Sequence, residues 1–240
     1  MNGYKIIKND YYEFIYDEKY EKEVIRILNY STRKLKENLD FFGMSSYGEI
    51  IKVSFFDNRE DFFKRIYEIS PSATPPAWAK GCFYGNENQV LFLNGNINSR
   101  FFTPAHESCH LLFYKYVYSH YKHLKRLTWL DEAFAVTFSG EVDNHVDNGK
   151  FLLQIKKYIG VELPNLNDIK FENNNVKTDT YDAYDFFYIV GKYLQETMSK
   201  NELLSLFMDE ELVFMLGNTV LNDSLDYFVS KYKLSNNKSY

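Results

Sequence analysis

Apolar and polar positions alternate over 3–8 and 12–16, and this period of two predicts a pair of short strands. Between Asp17 and Leu39 the period changes. Apolar residues at Val24, Ile27, Leu28, Leu35 and Leu39 recur at helical spacing, and Phe41-Phe42-Gly43 supplies a stop. Glu49–Phe55 (EIIKVSF) alternates again and reads as a strand. Asp57 followed by Glu60 has the form of a capping box that opens a helix through about Ile69. The prolines of PSATPPAW, Pro71–Trp78, exclude both ladder and helix there. Lys80–Tyr84 and Gln89–Leu93 then flank GNEN, a hairpin signal.

Beyond Thr103 the pattern is almost wholly helical. Thr103 suits a cap and Pro104 a first helical position, and the segment to about Tyr121 is apolar or aromatic on most sides. A second helix, WLDEAFAVTF, starts at Thr128 with Asp131 placed for a capping box. Further helices are predicted at Lys150–Ile159, Tyr181–Met198, Asn201–Leu216 and Leu221–Tyr232. Glu162–Asp179 reads as loop, and the terminal SNNKSY as a frayed end. The fold class expected is α+β: a small N-terminal mixed sheet with covering helices, then an all-helical part. The expected division is a sheet-bearing subdomain over 1–122 and a helical one over 123–240, together forming one unit.

Composition narrows the function classes. Net charge is -5 and no basic face is evident, which excludes a nucleic-acid footprint. Two cysteines, Cys82 and Cys109, are too few for a disulfide scaffold. No leader-like or membrane-spanning run occurs in the chain, so a cytoplasmic protein without a membrane partner is expected. Aromatic residues are abundant, 21 Tyr and 21 Phe, and core packing accounts for them.

The chemistry is concentrated in residues 103–110, TPAHESCH. His106 and His110 are four apart, so on a helix both rings leave one face and reach a single metal ion. Glu107 is rotated about a third of a turn from His106, beside such an ion, where a water would sit. A catalytic zinc takes three protein ligands and keeps one open position. WLDEAFA offers Glu132, 132 − 110 = 22 positions downstream, near the start of the next helix. Trp129 and Phe134 would pin that helix into the core.

His-Glu-x-x-His with a downstream WLDEAFA resembles the gluzincin metallopeptidases, the clan of thermolysin and the aminopeptidase-type enzymes. Ala133 stands where their second motif usually has glycine. The resemblance implies one Zn2+ per chain held by His106, His110 and Glu132, with Glu107 as general base. It further implies an oxyanion-binding tyrosine nine residues before a Tyr-Leu pair. Counting back from Tyr193 gives Tyr184, with Tyr181 and Tyr188 as alternatives. In the clan a sheet strand ahead of the metal helix pairs with extended peptide. Gly81, Cys82, Phe83 and Tyr84 occupy that place and are the expected substrate-binding residues. No acid stands where the aminopeptidases hold a free amine; Glu87 is out of register, which weighs against that branch.

The expected function is therefore a zinc-dependent peptidase acting on a peptide or protein substrate. The alternative is a non-catalytic binding or regulatory module that keeps the fold. Cys109 is expected to be a small core residue, His120 and His123 to lie solvated in a basic turn, and His145 in a polar loop. Asp131 is open between a cap and a partner for a ligand histidine.

Overall fold

The computed structural model describes residues 4–95, 97–118 and 127–234. The chain forms two compact units, Met1–Ser119 and His120–Tyr240, with the sheet in the first and, among the described residues, helices as the regular elements of the second. The class is α+β. Among the described residues no helix is long and apolar enough to cross a membrane.

In the first unit five strands lie in the order β1-β2-β3-β5-β4: β1 Tyr4–Lys8, β2 Tyr12–Asp17, β3 Ile51–Phe56, β4 Gly81–Tyr84 and β5 Gln89–Leu93. β1 and β2 form an antiparallel hairpin whose turn is tied by Asn9, its side-chain oxygen accepting from the amides of Tyr11 and Tyr12, each at 2.9 Å. β3 runs parallel to β2 and β5 parallel to β3, as crossovers through helices require. Those helices are α1 (Glu21–Phe41) and α2 (Arg59–Ile69). Gly43, at φ 68°, ends α1 beyond Phe42, as the sequence suggests. β4 returns antiparallel to β5 and forms an edge of the sheet.

Alternation along the strands sorts their side chains between two layers. Phe55 stacks on Phe92 at 4.7 Å between ring centroids, and Phe14 meets Phe92 edge-on at 6.4 Å, so these three share one face. The opposite face of β5 carries Leu91 and Leu93, packed with Phe62 and Ile66 of α2. Covered on both sides, β5 is buried at every position and reads QVLFL with no polar alternation after its first residue.

Several helix boundaries and caps differ from the sequence reading. The helix over the histidines, α3, spans Ile97–Phe113 and continues as a π turn over Tyr114–Tyr118. Thr103 is thus no cap and Pro104 lies inside the helix. The earlier turns are held by Phe101 and Phe102, whose rings lie 4.7 and 5.3 Å from that of Tyr30 on α1. α2 is capped by Asn58, which accepts from the Asp61 amide at 2.9 Å; Asp57 is engaged instead by Lys19, Tyr20 and, at 2.9 Å, Asn94.

In the second unit α4 spans Thr128–Phe138, but its cap position is Leu127 and Asp131 is buried, so the expected capping box is not made. The predicted helix over 201–216 is two helices, α8 (Lys200–Leu206) and α9 (Glu210–Gly217), because Asp209 caps a new start by accepting from the Leu212 amide at 2.9 Å. α5 (Glu141–Asp147) was not expected; it carries His145 into the interior beside Val142, where a polar loop was predicted. α6 (Lys150–Tyr158), α7 (Ala183–Thr197) and α10 (Val220–Lys231) match the predicted helices within two residues at each end. His120, His123 and the terminal SNNKSY lie outside the described residues.

α4 and α7 are the centre of the second unit, buried over Trp129–Thr137 and on most sides of α7. Their backbones approach closely at Gly191. A Cβ there would lie 2.3 Å from Thr137 Oγ1 and 2.6 Å from the Ala133 carbonyl oxygen. Nothing larger than hydrogen fits.

The buried His145 makes this unit pH-sensitive. Lys150 Nζ, which can only donate, lies 3.3 Å from His145 Nε2, so Nδ1 carries the hydrogen that faces Gln154 Oε1 at 3.3 Å. Burial first, and the Lys150 charge second, hold this imidazole below the usual histidine range; Gln154, Glu141 and Asp185 oppose them. The unfolded chain then binds the proton more readily, so stability drops as pH falls through the unfolded pKa of about 6.5 toward the lower native value. Urea unfolding at pH 7 and pH 5 is expected to show a smaller acid loss in His145→Gln than in wild type. An identical loss in both would remove this role.

Candidate metal centre

Helix α3 buries His106, Glu107, Ser108 and His110 within five residues. Such groups are costly to bury unless each is met by a partner. Ser108 turns back on its own helix and donates to the Pro104 carbonyl at 2.6 Å. The two histidines meet each other: their Nε2 atoms are 3.2 Å apart, with ring centroids at 4.9 Å and planes at 75°. Four-residue spacing on one helix face produces this meeting.

Another wall of the pair comes from β4. Leu93 N donates to Lys80 O at 2.7 Å, which makes residues 80 and 93 a hydrogen-bonded pair. By alternation Cys82 and Tyr84 also direct their backbone groups at β5, while those of Gly81 and Phe83 point to the outer edge of the sheet. Side chains alternate in the same way. Cys82 and Tyr84 pack on the α2 side with Phe62 and Ile66, whereas Gly81 and Phe83 face α3. The Phe83 ring stacks on His110, centroids 5.1 Å apart and planes at 21°. A Cβ at Gly81 would stand 2.3 Å from Glu107 Oε1 and 2.6 Å from Thr103 Cγ2, so the carboxylate fills the space the glycine leaves.

The cysteines belong to the packing. Cys109 accepts from Asn38 Nδ2 of α1 at 3.3 Å in the buried interior, consistent with a core role. Burial, and then the charge of Glu107, push the Cys82 thiol far above the ordinary thiol range, so it stays protonated.

In the second unit Glu132 is buried on α4, next to the buried Asp131. Tyr188 of α7 donates to Glu141 Oε2 at 2.6 Å, and its ring centroid lies 4.0 Å from that of His145. Burial, and then the charge of Glu141, raise its phenol well above the usual range, with Glu132 adding to the effect. Tyr184 is one turn earlier on the same face, half-buried, edge-on to Phe187 at 5.4 Å and with the Lys177 ammonium 5.6 Å from its ring centroid. Tyr181 precedes the helix and packs against Phe186 at 5.3 Å.

Among the described residues, His106, His110 and Glu132 make up a group of three whose ligand atoms all lie within 4.8 Å of one another, and all three are buried. Two imidazole nitrogens and a carboxylate oxygen are a donor set suited to a borderline divalent cation such as zinc. The spacing on α3 and the residue types reveal this set from sequence. The contacts of Gly81 and Phe83 with the motif were missed. Only the pairing register of β4 discloses them.

Gly81→Ala is expected to cost roughly 1–3 kcal/mol by overpacking. The cost should shrink in a Glu107→Ala background, where Thr103 alone obstructs the new methyl, and a double-mutant cycle by urea unfolding measures the difference. Additive losses would show that the two side chains do not share this space.

Comparison with protein-family models and with the curated proteins finds no match to this chain.

Proposed function

We propose that the protein is a zinc-dependent peptidase with a gluzincin-like arrangement. The observation that carries this reading is the gathering of two buried imidazoles and a buried carboxylate within ligand distance of one another, with Glu107 following the first histidine. Three protein donors leave one coordination position for chemistry, as catalytic rather than structural zinc requires. A zinc ion held there would polarise the scissile carbonyl and lower the pKa of a water to about 7.

The remaining steps belong to the chain. An extended peptide would pair with the outward N–H and C=O groups of Gly81 and Phe83, adding a strand at the β4 edge. Glu107, seated against that strand, would take a proton from the attacking water and deliver it to the nitrogen that leaves as the C–N bond breaks. Tyr184 would donate to the oxyanion. Tyr188 is less suited, since its hydroxyl already donates to Glu141.

Metal analysis and peptide-library digestion, with and without a chelator, test the reading. One zinc per chain and cleavage that the chelator abolishes are expected; equal cleavage in both arms would overturn the metal mechanism. Glu107→Gln should retain zinc and lose on the order of a hundredfold or more in kcat. Tyr184→Phe should retain zinc and lose about a hundredfold in kcat, while an unchanged rate would remove Tyr184 from the mechanism.

A further inference from the structure

The imidazole plane of a histidine is set by a terminal torsion with a broad minimum, so a ligand histidine needs something to hold its ring. On α3 the His106 ring meets His110 edge-on and leaves the plane of His110 to be fixed from another side. Phe83 supplies that side, lying nearly parallel to the His110 ring in an offset stack. Phe83 is itself held by the sheet. It stands opposite Val90 of β5, and its neighbours Cys82 and Tyr84 anchor the strand on the α2 side.

We propose that Phe83 is a positioning residue for the metal site, holding His110 with its Nε2 toward that of His106. Resting on the metal reading above, this adds a link that the motif alone does not contain. The backbone of Phe83 lies on the sheet edge and its ring on a ligand, so one residue couples the register of a paired peptide to the geometry of the ion. A shift of β4 by one residue would replace the ring with Cys82 or Tyr84 and release His110.

The test compares Phe83→Leu, which keeps apolar bulk without a ring, with Phe83→Tyr, which keeps the ring. Zinc affinity is read by competition with a chromophoric chelator, and ligand geometry by the visible absorption of the Co2+-loaded protein. Phe83→Leu is expected to bind zinc at least about tenfold more weakly with an altered cobalt band. Phe83→Tyr should remain within about threefold of wild type with the band unchanged. In the metal-free protein the imidazole proton resonances of His110 should lose their ring-current shift in Phe83→Leu alone, a readout that requires neither zinc nor activity. If Phe83→Leu does not fold, Phe83→Met takes its place.

Equal zinc affinity in wild type and Phe83→Leu, or an unmoved His110 resonance, overturns the role of Phe83 while leaving the peptidase reading intact. A wild type that takes up no zinc overturns the metal reading and the positioning role with it, even where the ring-current shift shows the stack to be real.

Discussion

Helix α3 places three titratable side chains, His106, Glu107 and His110, in the protein interior within five residues, and the first unit is arranged around meeting them. The cost of burying unpartnered polar groups is several kcal/mol each, enough to consume the stability of a small domain. The histidines turn their Nε2 atoms toward each other, and β4 adds two matching features: no side chain at 81, where the carboxylate lies, and a flat ring at 83 against His110. That match depends on strand parity. The same four residues one step out of register would drive Cys82 and Tyr84 into α3 and turn Phe83 toward α2.

Parity in turn rests on the core behind β4. Leu91 and Leu93 need the α2 layer, and Val90 and Phe92 need the opposite one, so β5 has a single acceptable orientation. Hydrogen bonding between residues 80 and 93 transmits that orientation to β4. The site is therefore positioned by packing some distance from any of its polar atoms. In the second unit the close approach of α4 and α7 at Gly191 performs the corresponding task for Glu132, fixing the helix that carries it. Ala133 contributes its backbone carbonyl to that contact, and the small residue needed for the approach comes from α7.

What the sequence disclosed was what local geometry encodes. The strands, the β4–β5 hairpin and α1 follow from period and turn residues, and the histidine pair follows from four-residue helical spacing. Boundaries decided by tertiary contacts were not legible. The aromatic packing of Phe101 and Phe102 on Tyr30 draws α3 past a proline that reads as a start. α5 is seven residues long and mostly polar, so its two inward positions, Val142 and His145, leave no detectable period. Glu132 could be named by residue type and motif, whereas the roles of Gly81 and Phe83 required knowing which strand residues face α3.

A histidine pair in a core can also be structural, and the surrounding donors bear on which reading is better supported. A structural zinc closes its shell with four protein ligands, often including thiolates. Both cysteines of this chain lie near the motif in sequence or space, yet neither is presented as a ligand. Cys109 is turned to Asn38 on α1, and Cys82 lies on the α2 side of the sheet with its thiol kept protonated by burial and by the charge of Glu107. The gathered set among the described residues is two imidazoles and one carboxylate. On the proposed reading Glu107, held against a glycine of the edge strand, would serve as the base, and a shell of three protein ligands would leave it something to act on.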